Sequence, residues 1–426
     1  MKTLIKGGRV IDPANDLEGI YDILTEDGLI SEISENITVK ADEVFDASGL
    51  YVLPGLVDMH CHLREPGYEY KEDIESGTRA AAKGGFTAVA CMPNTNPITD
   101  NDSVVKYIVD KAAKVASSRV YPIGSITKGS DGHQLAEMGF MKEAGAVAVS
   151  DDGRPVESSD VMRKAMEYSK DFGLLVISHC EDMKLAEGGT MNEGFLSTSL
   201  GLKGIPSIAE EIQVARDVLL SEYTGVPVHI AHISTKGSAR IIRDAKSRGV
   251  RVTCETCPHY FSLTEDAVEG FDTNAKVNPP LRSESDRMAI VDAIKDGTID
   301  AIATDHAPHH RDEKNVEFQY ASNGMSGFET AFAAAYTNLV SKGHISIGRL
   351  VELMSTNPAK LIKRYLGGIS VGAAADITIV DCETEKVVDT GRFLSKGKNS
   401  PFNGKALRGS IMLTMMDGVR RYTEGE

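Results

Sequence analysis

Two histidines one residue apart, His60 and His62, close an apolar run that begins near Leu56. In an extended strand, residues two apart point to the same face, so both imidazoles can approach one point while Cys61 faces away. Neutral imidazole is a good ligand for Zn²⁺-type ions. By itself such a pair indicates a metal site only weakly, because a single strand-end histidine is more often structural.

Further apolar runs end in side chains of the same chemistry. His179, His232 and Asp305 each follow such a run, and Asp152 follows another. Packing alone does not explain this repetition, so the combined pattern predicts one or two bound zinc ions. The polar residues at the run ends are His60, His62, Arg64, Asn94, Asp152, His179, His232, Glu255 or His259, Asp305 and His309.

Two positions in this pattern stay ambiguous. The sequence does not fix where the strand before Asp151 and Asp152 ends, so we expect one aspartate to face the metals and the other to cap a turn or be solvated. His229 precedes His232 by three residues, which predicts that the two face opposite sides of their strand, with His232 nearer the rim.

The elements that must position these residues lie between about Leu56 and Tyr365. Apolar runs with nearly continuous hydrophobicity alternate there with helix-like segments. Buried parallel strands have this pattern, so we predict an α/β fold built on a TIM-type (β/α)₈ barrel, whose strand ends form the catalytic rim. The eight runs are GLVDMHCHL, FTAVACMPN, RVYPIGSIT, AVAVSDDG, LLVISHCE, PVHIAHIST, VRVTCETCPH and IDAIATDHAPH. An open doubly wound sheet is the alternative, but its glycine-rich phosphate turn is missing from HLREPGYEY, the segment after the first run.

Both ends of the chain show a different sequence pattern from the middle. Short strand-like segments separated by Gly, Asp and Asn turns occur in TLIKGGRVIDP near the start and in AAADITIVDCETEKVV near the end. We therefore predict a small composite β domain from residues 1–54 and 366–426. Residues 55–365 are predicted to form the metal-dependent barrel domain.

The amino-acid composition limits the kinds of partner that the protein is expected to bind. The chain of 426 residues carries a formal net charge of −16 and is 41% hydrophobic, as globular proteins are. It has no apolar stretch of about 18 residues and no Lys/Arg cluster, so neither a membrane nor a nucleic acid is expected. Six cysteines are too few for a disulfide framework, which favours a reducing cytoplasm. Cys254 and Cys257 lack the second pair of a structural zinc site, so buried thiols are expected.

Several longer motifs resemble those of the bacterial type I dihydroorotases, a class of the amidohydrolase superfamily. These motifs are PGLVDMHCHLREPG, CMPNTNP, SDDGRPV, ISHCED, HIAHIST, CPHYF, KVNPPLR, ATDHAPH and NGMSGFET. Many amidohydrolases share DxHxH, but HCHLREPG together with CMPNTNP and VNPPLR is close to family-specific. The resemblance extends over nearly the whole chain.

The resemblance implies a metal site of six residues: His60, His62, Asp152, His179, His232 and Asp305. In this scheme Asp152 bridges two ions. Hydantoinases and allantoinases use a carboxylated lysine as the bridge, but the fourth run here ends SDDG and offers no lysine.

The resemblance also implies substrate contacts from His62, Arg64, Asn94, Asn278, His309, Asn323 and Gly324, the last two through their backbone. A substrate carboxylate suits the planar donor fork of Arg64, and the amides of Asn94 and Asn278 can donate or accept hydrogen bonds. The polar stretch 310–321 is loop-like, and in the family the corresponding loop can be mobile over the active site.

The implied activity is zinc-dependent, reversible cyclisation of N-carbamoyl-L-aspartate to (S)-dihydroorotate in pyrimidine biosynthesis, with Asp305 as the catalytic proton shuttle. Another cyclic amidohydrolase, allantoinase or hydantoinase, is one alternative, and a non-catalytic dihydroorotase-like scaffold subunit is a second. Arg64 and Asn94 argue against the first, and the complete ligand set argues against the second. A homodimer is expected, and association with an aspartate transcarbamoylase is left open.

Overall fold

Five strands precede the barrel, as the turn-rich N-terminal sequence predicts. The computed structural model describes residues 2–364 and 366–425. The N-terminal strands are β1 (Lys2–Asp12), β2 (Leu17–Glu26), β3 (Leu29–Ser34), β4 (Glu43–Asp46) and β5 (Tyr51–Pro54). β2 pairs antiparallel with β1, whereas β4 and β5 pair parallel with it.

Each of the eight apolar runs contains a strand of a second, parallel sheet. The strands from this part of the chain are β6 (Leu56–Cys61), β7 (Phe86–Cys91), β8 (Arg119–Gly124), β9 (Ala148–Ser150), β10 (Leu175–Ser178), β11 (Met191–Asn192), β12 (Gly204–Ile205), β13 (Val228–Ile230), β14 (Val252–Thr256) and β15 (Ala301–Ile302). β11 and β12 pair only with each other, and the other eight follow one another across the sheet in chain order. The predicted eight-stranded parallel arrangement is thereby confirmed.

The first and last strands approach each other and nearly close this sheet into a barrel. Asp305 donates its N–H to the His60 carbonyl at 3.0 Å, and His62 donates its N–H to the His306 carbonyl at 2.8 Å. Deeper in the structure, the buried carboxylate of Asp58 accepts hydrogen bonds from the N–H of Thr304 at 2.9 Å and its hydroxyl at 2.6 Å. The segments that carry His60, His62 and Asp305 are therefore joined directly.

Helices follow most of the barrel strands. They are α1 (Ile74–Lys83), α2 (Asp102–Val115), α3 (Met138–Ala144), α4 (Ser159–Asp171), α5 (Met183–Ala186), α6 (Phe195–Leu200), α7 (Ile208–Thr224), α8 (Lys236–Ser247), α9 (Pro258–Ser262), α10 (Glu284–Lys295), α11 (Arg311–Lys314), α12 (Phe328–Ala335), α13 (Ile347–Val351) and α14 (Asn357–Leu361). Short 3₁₀ segments lie at Pro13–Asn15, Lys128–Ser130, Glu265–Phe271, Thr273–Ala275 and Thr390–Arg392, and π-helical turns at Tyr336–Val340 and Glu352–Thr356. Among the described residues, every helix is too short or too polar to span a lipid bilayer.

The barrel strands are buried on both faces, which explains their continuous hydrophobicity. All six residues of β7 are buried. Ala88 and Ala90 of this strand lie in an apolar cluster made mainly of strand residues, whereas Val89 and Cys91 lie in a larger one that includes Ile108 of α2. The barrel wall is thus packed from two sides, and its strand ends are rigid supports for side chains.

Three C-terminal strands complete the first sheet: β16 (Ile377–Val387), β17 (Ala406–Met416) and β18 (Val419–Thr423). The order is β18-β17-β16-β5-β1-β2-β3, so both chain ends contribute to one sheet. The boundary predicted at Tyr365 lies outside the described residues, and the division into two domains stays a prediction. All six cysteines are buried and free of disulfides.

Candidate active site

The predicted ligands converge because each follows a neighbouring strand at the same end of the barrel. His60 lies in β6, His179 directly follows β10, and Asp152, His232 and Asp305 lie within three residues after β9, β13 and β15. These side chains and that of His62 are buried. The structure therefore brings all six predicted metal ligands together in one cluster.

Asp152 lies at the centre of this cluster. Its Oδ1 is 3.4 Å from His60 Nε2 and 3.6 Å from both His179 Nδ1 and His232 Nε2. Its Oδ2 is 3.5 Å from His62 Nε2. One carboxylate oxygen thus faces the His179–His232 side of the cluster and the other faces His62, which is the arrangement expected of a bridging ligand.

Asp305 lies on the His62 side. Its Oδ1 is 3.0 Å from His62 Nε2 and 3.7 Å from His60 Nε2. His60, His62 and Asp305 form one group able to hold a metal ion, and His60, Asp152 and His232 form another. The two groups share His60.

Two observations indicate that the cluster can hold a divalent ion. His60 Nε2 and Asp152 Oδ1 are buried without any hydrogen-bond partner among the described residues, and such atoms are costly unless something binds them. The separations between facing ligand atoms, 2.9 to 3.7 Å, are also close to the roughly 3.3–3.6 Å between neighbouring ligands of a tetrahedral ion with bonds of about 2.0–2.2 Å. Nitrogen and carboxylate donors are those that zinc takes.

Three of the histidines are oriented by a second residue behind them. His60 Nδ1 is 2.7 Å from Glu255 Oε1, His62 Nδ1 is 2.8 Å from Asn94 Oδ1, and His179 Nε2 is 3.3 Å from Glu181 Oε2. Because these partners are acceptors, each of these ring nitrogens carries the proton and donates it. When such a ring is neutral, as a metal ligand must be, its opposite nitrogen carries a lone pair directed into the cluster.

Contacts with the histidines determine whether the carboxylates of the cluster are ionised. Burial opposes ionisation, but His60, His179 and His232 hold the pKa of the Asp152 carboxyl well below its ordinary value. His62 and His60 likewise hold the pKa of Asp305 below its ordinary range against burial. His60 and His229 also lower the pKa of Glu255, to about 2. Asp152, Asp305 and Glu255 are therefore all ionised at neutral pH.

Three residues of the site have unusual backbone conformations. Arg64, His232 and Asp305 have φ values of 61°, 31° and 45°, in the left-handed region that non-glycine residues rarely adopt. Nine non-glycine residues of the described chain have positive φ. A third of them are thus predicted site residues, as expected where strain is retained for function.

The structure settles both sequence ambiguities. Asp152 faces the histidines, whereas Asp151 accepts hydrogen bonds from the N–H groups of Ile126 and Thr127 at 2.8 and 3.2 Å. His232 reaches the cluster and His229 does not, as predicted, but the expectation that the two face opposite sides of the strand was wrong, since the His229 ring lies 3.4 Å from Glu255, which binds His60. Strand alternation does not apply here, because β13 ends at Ile230 and His232 has positive φ.

The predicted substrate contacts lie around the cluster. Arg64 Nε donates to the Pro308 carbonyl at 3.2 Å, and its Nη2 lies 3.3 Å from His309 Nε2. Asn94 Nδ2 is 3.3 Å from Asp152 Oδ2, and Asn278 Nδ2 donates to Glu181 Oε2 at 3.0 Å. The Asn278 Oδ1 atom is buried without a partner among the described residues, so it is an acceptor available to a ligand.

His309 Nε2 also lies 2.7 Å from the Asn323 carbonyl, so this nitrogen carries a proton that it donates. Burial and the nearby Arg64 lower the pKa of His309 to about 2, which keeps the ring neutral. A glycine is required at position 324, beside His309, because φ of Gly324 is 131° and a Cβ there would lie 2.7 Å from the Ala307 side chain. The Gly324 N–H donates to the Lys276 carbonyl at 2.9 Å.

The predicted loop 310–321 contains the short helix α11 and is tied down by Lys314. This buried ammonium donates to the carbonyls of Ser322, Gly324 and Lys276 at 2.7, 3.0 and 3.3 Å. Asn399, from the C-terminal part of the chain, also donates to the Gly324 carbonyl at 3.0 Å. The Asn323–Gly324 backbone is therefore held by one side chain of the preceding loop and one from 75 residues further along the chain.

Three residues with clear structural roles had none assigned from sequence: Glu181, Glu255 and Lys314. Glu181 comes two residues after His179 and could have been found by the same parity that linked His60 to His62. Glu255 was noted only as a polar strand end. Lys314 gave no signal, because a lysine in a polar stretch is normally solvated.

Comparison with known proteins decides the family. A family model described as dihydro-orotase-like matches residues 49–238. A dihydroorotase of Acetivibrio thermocellus is 60% identical over 415 residues, 97% of each chain, and one of Geobacter metallireducens is 56% identical over 423 residues, 99% of this chain and 100% of its own. This chain belongs to the dihydroorotase family.

Solved structures place this dihydroorotase family member among cyclic amidohydrolases. The L-hydantoinase of Arthrobacter aurescens has a TM-score of 0.89 at 28% identity, with 100% of this chain and 96% of that chain covered. A D-hydantoinase from Thermus sp. has a TM-score of 0.84 at 26% identity with the same coverage. Because the architecture is shared, the residues around the strand-end cluster, rather than the fold, must decide the substrate.

Proposed function

We propose that this chain catalyses the reversible cyclisation of N-carbamoyl-L-aspartate to (S)-dihydroorotate, in pyrimidine biosynthesis. The observation that carries the proposal is the 60% identity to a dihydroorotase over 97% of both chains. The intact cluster of six ligands supports it, because a scaffold subunit without activity would have no reason to retain the ligands. We also assign the chain to the bacterial type I class, on the aspartate at the position where relatives carry a lysine.

The proposed metal is zinc, with one or two ions per chain. His60, His62 and Asp305 would hold one ion, His179 and His232 a second, and Asp152 would contact both. Bound there, zinc supplies a Lewis acid for the scissile carbonyl and lowers the pKa of a water from 15.7 to about 7.

The chain's own residues provide the proton transfer. In the hydrolytic direction, Asp305 accepts the proton of the attacking water at its carboxylate. It then delivers that proton to the departing ring nitrogen, which is otherwise a very poor leaving group. In the biosynthetic direction, the same carboxylate takes the proton from the ureido nitrogen as that nitrogen attacks the side-chain carboxyl carbon. It passes this proton to the departing carboxyl oxygen, which leaves as water with a second proton taken from solvent.

The substrate is held by residues around the cluster. Arg64 binds the anionic carboxylate through its donor fork. Asn278 offers its unpartnered Oδ1 to a ring N–H, and Asn94 lies beside Asp152. His62, neutral His309 and the Asn323–Gly324 backbone complete the proposed contacts.

A hydantoinase or allantoinase activity is less well supported. The hydantoinases share the fold at 24–28% identity, far below the identity to the dihydroorotases. Arg64 also has no partner to bind in an uncharged hydantoin ring, whereas dihydroorotate presents a carboxylate. Association with aspartate transcarbamoylase, a homodimer and a cytoplasmic location stay predictions.

The proposal is tested by metal analysis coupled to assays on the purified protein. We expect one to two zinc ions per chain, activity with dihydroorotate exceeding that with allantoin and dihydrouracil, loss of activity with a chelator and recovery with Zn²⁺. Full activity in a metal-free preparation would refute the metal assignment. Preference for dihydrouracil or allantoin would refute the substrate.

A further inference from the structure

A cavity separate from the candidate active site lies between the terminal β sheet and the helices of the barrel. It has a volume of about 660 Å³ and is bounded mainly by α1, α12, β17, β18 and the segment 386–394. None of the predicted metal ligands or substrate contacts lines it. Small-molecule sites usually occupy roughly 300–1,000 Å³, so this cavity is large enough to hold a ligand.

The lining of the cavity is basic, although the chain as a whole is acidic. Six basic and three acidic side chains line it, which gives a formal balance of +3 in a chain of net charge −16. A concave surface with an excess of positive charge attracts anions. The basic residues are Arg79, Lys83, Lys386, Arg392, Arg420 and Arg421.

The three acidic residues are already engaged within the chain. Glu329 pairs with Lys83 at 2.8 Å, and Glu424 pairs with Lys386 at 2.9 Å. Asp389 caps the 3₁₀ turn that follows it. The positive charge that remains in the cavity therefore belongs to arginines.

Three of the four lining arginines have no partner in the described chain. Arg420 pairs with Glu43 at 3.0 Å. The side chains of Arg79, Arg392 and Arg421 make no hydrogen bond, ion pair or ring contact with any described residue. Among the described arginines, the others without such a contact are Arg154 and Arg240. Three of five unpaired guanidinium groups thus line one cavity, which a random scatter of surface charges does not explain.

The cavity also has an apolar part. Phe332 and Leu407 are buried in its lining, whereas Val387 and Leu394 are 66% and 36% exposed. The partly buried ring of Tyr422 lines it as well. A bare inorganic anion would leave this apolar surface in contact with water, so a ligand with a planar or apolar body suits the cavity better.

The unpaired arginines indicate which anion the cavity would take. A guanidinium group binds phosphate oxygens through two parallel hydrogen bonds. A diphosphate ester carries about three negative charges at neutral pH, which matches the +3 of the lining. No histidine or cysteine is among the described residues that line the cavity, so its chemistry is that of a binding site rather than of a second catalytic site.

One wall of the cavity continues into the active site. Leu394 donates its N–H to Glu329 at 2.7 Å. Five residues later, Asn399 accepts the N–H of His309 and donates to the Gly324 carbonyl, both at 3.0 Å. A ligand bound at Arg392 would therefore restrain the segment 392–399, which supports the substrate side of the active site.

We propose that this cavity binds a phosphorylated small molecule of the nucleoside diphosphate type. Its phosphates contact Arg79, Arg392 and Arg421, and its planar body packs against Tyr422 and the apolar lining. The ligand occupies a site distinct from the metal cluster.

The test is isothermal titration calorimetry on the full-length, zinc-loaded protein, with ADP as the probe. We expect one ADP per chain, bound in the micromolar range and more weakly as salt rises. Pyrophosphate carries the charges without the planar body and should bind about ten-fold more weakly. Adenosine carries the body without the charges and should give no detectable binding. Zinc content measured after each titration shows that ADP has not removed the metal.

Substitutions of the unpaired arginines locate the site. Arg79→Gln, Arg392→Gln and Arg421→Gln should each raise the Kd for ADP by about ten-fold or more, because each removes a charge-assisted contact. Arg240→Gln, at an exposed and equally unpaired arginine of α8, is the matched control and should leave the Kd unchanged. Arg64→Lys, in the active site, should also bind ADP normally. Far-UV circular dichroism confirms that each variant is folded.

Hydrogen exchange provides a second measure of location, and ADP should slow the exchange of amides in the segment 392–399. Absence of ADP binding, or a Kd that is unchanged in all three cavity variants, would overturn the proposal. Equal weakening in Arg240→Gln would show that ADP responds only to the overall charge of the protein. Pyrophosphate binding as tight as that of ADP would overturn the role of the apolar lining.

Discussion

The two halves of the candidate site are built differently. The metal side consists of residues at the ends of adjacent strands, whose backbones are fixed by the sheet and whose histidines are oriented by Glu255, Asn94 and Glu181. The substrate side consists largely of loop residues such as Asn323 and Gly324, held by Lys314 and Asn399. A rigid half for chemistry is thus combined with a half whose position depends on a few long-range contacts. Substitutions in the two halves should therefore have different kinetic signatures.

The largest effect is expected in the rigid half, at Asp305. Asp305→Asn can still coordinate through its amide oxygen but cannot carry a proton. Zinc should be largely retained while kcat falls by about 10² to 10⁴ in both directions of the reaction. His179→Ala should instead lose activity mainly by losing metal, and added Zn²⁺ should partly restore it.

The measurement for Asp305 is zinc content together with both rates. Asp312→Asn, an exposed aspartate of α11, is the control and should be silent. If Asp305 only capped the turn before Ala307, asparagine would serve equally well. Near wild-type turnover of Asp305→Asn would thus remove this residue from the chemistry.

Arg64 joins the two halves, and its replacement should mainly weaken binding. Arg64→Lys keeps the charge but loses the donor fork. Losing a charge-assisted hydrogen bond costs about 1.5–3 kcal/mol, so kcat/KM should fall roughly ten-fold to more than a hundred-fold at unchanged zinc content. Arg154→Lys, an exposed arginine after Asp152, is the matched control. Unchanged kcat and KM would show that Arg64 does not bind the carboxylate.

Substitutions of the acidic residues that orient the histidines should weaken zinc binding to different degrees. Glu255→Gln removes the charge that orients His60 and should weaken zinc binding by about 10- to 100-fold. Glu181→Gln should have the smaller effect, because its contact with His179 is 3.3 Å rather than 2.7 Å. Competition with a chelator measures both affinities, and Glu167→Gln on the exposed face of α4 is the control. Equal affinities for all three variants and the unaltered chain would contradict the orienting role.

The difference between the halves also decides what can be predicted from sequence. Strand-end ligands follow from simple rules: His60 and His62 share a face, and parallel strands bring their carboxyl ends to one rim. The eight strands are recognisable because both of their faces are buried. The choice between Asp151 and Asp152 does not follow from these rules, because it depends on where β9 ends. The orientation of His229 does not follow from them either, because the strand alternation is broken before His232.

The contacts of the loop half are not visible in sequence at all. Nothing near Lys314 in the chain shows that it is buried or that its partners include Lys276. Asn399 reaches Gly324 from 75 residues away in sequence.

The smallest effect on turnover is expected at Lys314, in the loop half. Lys314→Met keeps the length of the side chain but removes the donor to the Ser322 and Gly324 carbonyls. The loop that carries Asn323 should loosen, so KM should rise severalfold while kcat and zinc content stay nearly unchanged. Lys246→Met is the matched control, since Lys246 also donates to a carbonyl, that of Thr298 at 2.7 Å, but lies away from the loop. A fall in kcat at unchanged KM would place Lys314 with the chemistry instead.

The pH dependence of stability gives an independent check on Lys314. Burial lowers its pKa to about 7, whereas the unfolded chain has the ordinary lysine value of about 10.4. Between these values the unfolded chain binds more protons than the native one, so the contribution of Lys314 to the free energy of unfolding rises with pH across this window. The stability of the unaltered chain should therefore increase relative to Lys314→Met as the pH rises above about 7. Urea unfolding of both proteins across this range measures the difference, and a difference that is independent of pH would show that the ammonium keeps its ordinary pKa within its ring of carbonyl oxygens.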